Sequence, residues 1–185
     1  AGNNHSVALR ADGTLASWGW DGEGQVTDTP SGNDFIQAAA GRVHSVALRA
    51  DGSLVSWGDD SALQVTDTPA GNDLTQVSAG SNYSASLRAD GSLVSWGRDP
   101  RGKVMDTPSG DDFTQVSAGG GHSVALRADG SLVSWGRNDW DKVTDTPTGN
   151  DFTQVSAGSH HSVALRADGS LVSWGWDEWS KVTDT

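Results

Sequence analysis

Cysteine is absent from the chain, which excludes disulfide staples, thiolate metal sites and a cysteine nucleophile together. There is no apolar run approaching 18 residues and no charged-then-apolar leader, so neither a membrane-spanning helix nor a signal peptide is read, and no membrane insertion is expected. Basic residues are scarce. Twelve Lys and Arg stand against 24 Asp and Glu, a formal charge of −12. A phosphate backbone would be repelled over most of such a surface, so nucleic acid is not an expected partner. Helical periodicity is missing from every stretch of the sequence, which leaves strands and turns. Apolar residues make up only 35% of the chain, but the 24 glycines bring it into the range from which a core can form.

What the sequence does contain is one unit written five times. Trp18, Trp57, Trp96, Trp135 and Trp174 are spaced by 39 residues, and so are His5, His44, Tyr83, His122 and His161. The copies divide a single domain, 1–185, into repeats 1–39, 40–78, 79–117, 118–156 and 157–185. Within a unit, Thr75 to Gly80 reads as a first strand, His122 to Arg127 as a second, Ser131 to Gly136 as a third and Lys142 to Pro147 as a short fourth. The Asp129-Gly130 pair predicts a two-residue type I′ hairpin between the second and third. Four short antiparallel strands in about 40 residues, repeated, is the pattern of a β-propeller. The fold class is therefore all-β, a propeller of five 39-residue four-stranded blades. Because the chain opens at Ala1-Gly2, inside the unit, one blade lacks its first strand.

The run Ala-Gly-x-x-His-Ser-Val-Ala-Leu-x-x-Asp-Gly-Ser-Leu-Val-Ser-Trp-Gly, complete from Ala118 to Gly136, resembles the blade of the regulator of chromosome condensation repeat family. It is closer to the short-bladed bacterial members, such as the β-lactamase inhibitor propeller. The resemblance implies a propeller, commonly of seven blades, that works by binding macromolecules, and it implies secretion or display at the cell surface. This chain has five copies, lacks the Gly-Gln-Leu-Gly ending of the eukaryotic repeats, and matches nothing of a guanine-nucleotide exchange loop. Neither exchange activity nor β-lactamase inhibition is carried over.

Residues able to do chemistry are mostly part of the scaffold. His5, His44, His122 and His161 recur one per blade, with Tyr83 in the same slot, which suits packing better than metal ligation. A Ser-His-Asp triad would have to occur in every copy, so no hydrolase is read and no catalytic residue is assigned. The five repeated tryptophans fill space between blades. Arg10, Arg49, Arg88, Arg127 and Arg166, each two residues before the turn Asp, are expected to make repeated structural bonds. No calcium-loop spacing and no cofactor motif occurs; no metal and no cofactor is expected.

Variation is confined to two places in each unit, after Ala-Gly and after Trp-Gly. In an antiparallel blade both loops leave from one face, whereas the Asp-Gly turn and the Pro-x-Gly-Asn-Asp loop leave from the other. One face is individual and the other uniform, which marks the individual face as a recognition surface. Its candidate ligand-binding residues are Trp20, Asp21, Glu23, Arg42, Asp59, Asp60, Asn82, Arg98, Arg101, Arg137, Trp140, Asp141, His160, Trp176, Asp177, Glu178 and Trp179. Trp and Arg are the residues most enriched at binding hot spots. The expected function is non-catalytic recognition of a macromolecule, with a protein ligand preferred because the face mixes aromatic and charged groups. One alternative is a lectin stacking sugars on Trp20-Asp21 and Trp176-Asp177; the other is an amplified or engineered scaffold without an evolved ligand. If five blades close into a ring, blades four, five and one join Trp140, Trp176, Trp179 and Trp20 in one sector.

Overall fold

The computed structural model describes residues 1–176. Asp177, Glu178 and Trp179, three of the candidate ligand-binding residues, lie outside them. Each copy builds one antiparallel sheet. The first holds β1 (His5–Leu9) and β2 (Leu15–Gly19); the second β3 (Phe35–Ala40), β4 (His44–Arg49) and β5 (Leu54–Gly58). The third holds β6 (Leu74–Ala79), β7 (Tyr83–Arg88) and β8 (Leu93–Gly97), and the fourth β9 (Phe113–Ala118), β10 (His122–Arg127) and β11 (Leu132–Gly136). The fifth holds β12 (Phe152–Ala157), β13 (His161–Arg166) and β14 (Leu171–Gly175). Five blades form, and the first lacks its first strand, as the sequence implies.

Two local expectations are corrected. Among the described residues the fourth strand is not formed, so four sheets have three strands rather than four and the first has two. In the segment after each variable loop, the amides that would pair with the third strand are taken locally. Asp21 Oδ1 accepts from the Val26 and Thr27 amides, and the Asp28 amide turns back to the Gly24 carbonyl. Only side chains tie this segment to its sheet, as in Thr68 to Ser56 and Thr146 to Ser134. The hairpin turn also differs. Gly13, Gly52, Gly91, Gly130 and Gly169 are left-handed, but the Asp before each is not, so the loop is Ala-Asp-Gly, a three-residue connection with glycine in the left-handed position. The Asp carboxylate favours it by accepting from the amide two residues on, Asp51 from Ser53 at 2.9 Å.

The apolar core sits between blades. Val46 and Leu48 of β4 pack on Leu74, Val77 and Trp96 of the next copy, and Val124 and Leu126 of β10 pack on Phe152, Val155 and Trp174. A fixed set of polar contacts accompanies each junction. His5 is hydrogen-bonded to Ser45 at 2.7 Å, His44 to Ser84 at 2.8 Å, Tyr83 to Ser123 at 2.9 Å and His122 to Ser162 at 2.7 Å. The Trp57, Trp96, Trp135 and Trp174 indoles donate to the Gln25, Gln64, Lys103 and Lys142 carbonyls of the preceding copy. At the axis, a Cβ on Gly2, Gly41, Gly80 or Gly119 would overlap the carbonyl oxygen of the next copy's glycine. Glycine is therefore needed there for close approach.

Among the described residues none of these contacts is repeated between the fifth sheet and the first. His161 is not hydrogen-bonded to Ser6, and a Cβ on Gly158 would meet its own copy's His161 rather than Gly2. Trp18 is 54% exposed where its four counterparts are 3–4% exposed. The first and fifth copies still line one axial cavity together, through Gly2 and Asn3 on one side and Gly158 and Ser159 on the other, and the residue that would accept the Trp18 indole in register, Lys181, lies outside the described residues.

Candidate recognition surface

The two variable loops of each copy are zipped together by one backbone bond. The amide of the residue after Trp-Gly donates to the first loop: Trp20 to Asn4, Asp59 to Val43, Arg98 to Asn82, Arg137 to Gly121 and Trp176 to His160, at 2.8–3.0 Å. Both loops of a blade thus present one surface. The opposite face is saturated by repeated ion pairs, Arg49 with Asp34, Arg88 with Asp73, Arg127 with Asp112 and Arg166 with Asp151. Three of these guanidinium groups also lie over Phe35, Phe113 and Phe152. Arg10 has no such carboxylate and reaches only Thr14.

The loop face brings three candidate residues together. The Trp140 and Trp176 rings stack with centroids 5.1 Å apart, and His160 sits edge-on to both at 5.3 and 5.0 Å. Trp140 is presented from two successive left-handed residues, itself at φ 59° and Asp141 at φ 56°. Non-glycine residues adopt such angles at a cost of about 1–3 kcal/mol each, and functional loops are where that is commonly found. Trp140 remains 45% exposed. A second group surrounds Asp139, whose carboxylate is bridged by Arg101 at 2.9 Å and by Arg137. Beside it, Lys142 lies under the Trp140 ring at 5.5 Å.

The other candidates are placed differently. Trp20, 46% exposed, lies against its own Gly22 and is not part of the aromatic cluster. Asp21 and Asp60 spend their carboxylates on amides of their own loops. Asp59 holds Ser61 and the Gln64 amide group, and Asp141 accepts from Thr144. Asn82 Oδ1 is buried without a hydrogen-bond partner among the described residues. Glu23, Arg42 and Arg98 are exposed. Lys103 and Lys142 were read as residues of a fourth strand; the structure puts them at the loop face, in cavities beside Arg137. The signal available in the sequence was their replacement of Gln25 and Gln64 in register.

Antiparallel sheets set around a glycine-lined axis, with interlocking blade contacts and one individual loop face, define a β-propeller. The chain belongs to the regulator of chromosome condensation (RCC1) repeat family, whose model matches residues 1–25, 35–64, 74–103, 113–139 and 152–178. It is similar to the ectodomain of the Physcomitrella patens receptor kinase CR4, at 25% identity and TM-score 0.79 over 96% of this chain and 51% of that one. Prp20p of Saccharomyces cerevisiae is similar at 24% and 0.78 over 97% and 57%, and the Arabidopsis thaliana ACR4 ectodomain at 21% and 0.78 over 95% and 63%. The chain spans between half and two thirds of the length of these structures. No curated protein matches it. Among the described residues, no helix is long and apolar enough to cross a membrane.

Proposed function

We propose that the chain is a non-catalytic recognition module that engages a protein ligand through the loop face of its fourth and fifth blades. The observation that carries this reading is the Trp140–His160–Trp176 cluster, standing on the individual face and not on the uniform one. An exposed indole stacked on a half-buried one and flanked by arginines has the composition of an interface hot spot. Prp20p is described as bound to Kap60 and as binding Gsp1p and histones; its likeness to this chain is one of fold, so the loops carry the reading. A carbohydrate ligand is less well supported, because Asp21, the acid beside Trp20, is already engaged by its own loop.

The test is affinity capture from the native host with the wild-type chain and with Trp140→Ala/Trp176→Ala, alongside a glycan array with small-sugar competition. Retention of one protein, lost in the double variant with the fold intact, is the expected result. Capture unchanged by the double substitution, glycan binding that free sugar abolishes, or no ligand in either assay would each overturn the reading.

A further inference from the structure

Blades three and four carry like charges where blade two pairs a carboxylate with a neutral amide. Gln25 and Gln64 each close their own loop, accepting from the Glu23 amide at 3.0 Å and the Ala62 amide at 2.9 Å, and Gln64 donates to Asp59 at 2.7 Å. In blades three and four the same two positions hold Arg98 with Lys103 and Arg137 with Lys142. A lysine accepts nothing, and an arginine in the place of Asp59 repels it. Lys103 is 6% and Lys142 1% exposed, and their ammonium groups lie over the Tyr83 and Trp140 rings at 4.8 and 5.5 Å. Burial, followed by the neighbouring Arg98 and Arg137 respectively, holds both amines below the ordinary lysine range. Asp99 beside Lys103 and Asp139 beside Lys142 oppose this only in part, and a buried cation that is incompletely compensated is costly.

Both lysines face open space. Blade four has Gly120-Gly121 where the other copies place asparagine, arginine, serine or histidine, and neither glycine has a left-handed φ. A Cβ on Gly120 would come within 2.9 Å of the Ser159 backbone and one on Gly121 within 3.2 Å of the Arg137 side chain, so the glycines let these neighbours close in around the lysines. Over Gly120 and Gly121 lie a cavity of about 250 Å³ walled by Arg137, Lys142 and His160, and a second of about 140 Å³ walled by Arg101, Lys103 and Arg137. Among the described residues only Asp139 bridges two of these cations; the Asp99 oxygens are taken by the Val104 and Met105 amides.

We propose that the paired cavities over Gly120 and Gly121 form an anchor for a side-chain carboxylate of the partner, an Asp or Glu set beside the apolar group that covers Trp140 and Trp176. This rests on the reading of the loop face as a protein-binding surface. A carboxylate is chosen over a phosphate because Asp139 already sits between Arg101 and Arg137, showing that their spacing fits that group.

The test titrates the full chain with a blocked peptide, acetyl-Trp-Glu-Gly-Glu-amide, and with its Gln counterpart, followed by two-dimensional NMR. Binding of the Glu peptide at least tenfold tighter, with shifts at Gly120 and Gly121, is expected. Lys103→Gln/Lys142→Gln, which installs the residue of blades one and two, should erase that preference and raise the melting temperature of the free protein. Equal affinity for the two peptides, a preference that survives the double substitution, or tighter binding of inorganic phosphate or glucuronate would overturn the anchor. Capture of a native protein that depends on Trp140 and Trp176 but not on the lysines would sink the anchor alone, leaving the recognition reading in place.

Discussion

One slot, filled by histidine in four copies and tyrosine in the third, is where single residues couple this fold to pH. Burial pushes His44 down to about 4, and burial with the nearby Lys142 charge pushes His122 down to about 3, from 6.5. Because the folded values are depressed, the unfolded chain binds more protons than the folded one between pH 6.5 and those values, so stability is complete above pH 6.5 and falls on acidification. Each residue contributes up to about 1.4 kcal/mol of loss per pH unit in that window. The turn aspartates Asp51, Asp90, Asp129 and Asp168 are held below 3.8, chiefly by the hydroxyl two residues on, so their loss begins only near pH 4 and is separable. Tyr83 makes the same junction with its hydroxyl. His44→Tyr/His122→Tyr should therefore flatten the dependence of the urea midpoint between pH 6.5 and 4.5 while leaving it intact at pH 7.5. An unchanged slope would remove these histidines from the account. Their structural role was legible from the tyrosine in register, since a metal ligand would not tolerate that exchange. Lys103 and Lys142 were not legible in the same way, because alternation in Lys-Val-Thr-Asp-Thr reads as an edge strand and says nothing of what accepts the loop amides.

At the level of the element, the strands followed from alternation and turn residues, and three of the four expected strands stand within a residue of their sequence boundaries. The missing fourth strand and the altered turn share one cause. In each, an Asp or Asn side chain competes for backbone amides, as Asp21, Asp60, Asp99 and Asn138 do, and hydrophobic patterning carries no trace of that competition. Blade packing was likewise visible only in part. The Ala-Gly pair reads as a strand end, whereas the reason for the glycine lies in a neighbouring blade. At Gly119, the added methyl would meet the Gly158 carbonyl; at Gly158, the nearest atom is the carbonyl of His161, 3.1 Å away. Gly119→Ala should cost about 1–3 kcal/mol as overpacking against a backbone that cannot yield. Gly158→Ala should stay within about 0.5 kcal/mol of wild type. Chemical denaturation of both compares one substitution at an occupied junction and at an open one, and equal costs would mean that the axial contact is not what selects glycine.

Over the whole molecule, stability should be distributed as in a linear array, each blade held by its neighbours. Among the described residues four junctions carry the repeated contacts and the outer surfaces of the first and fifth sheets do not. On the first sheet Trp18 and Leu9 are 54% and 39% exposed; on the fifth, Leu171 is 50% exposed and Gln154 is exposed, although Gln37, Gln76 and Gln115 each bond the valine amide of the next copy. Native-state hydrogen exchange in the 185-residue chain should accordingly be slowest in β6, β7, β9 and β10 and fastest in β1, β2, β13 and β14, with the amides of one blade opening together. Mutational cost should follow the same gradient. Trp96→Ala removes a 3% exposed ring that donates to the Gln64 carbonyl, and should cost about 3–5 kcal/mol. Trp18→Ala removes the same residue from the same register where the ring is 54% exposed, and should cost within about 1 kcal/mol. Tryptophan fluorescence of the two variants in urea, read beside the exchange profile, decides the point. Equal losses together with strong protection of β1 and β2 would mean that Trp18 is covered in solution by the fifth blade. The five blades would then close into a ring, with Trp20 in the same sector as Trp140 and Trp176.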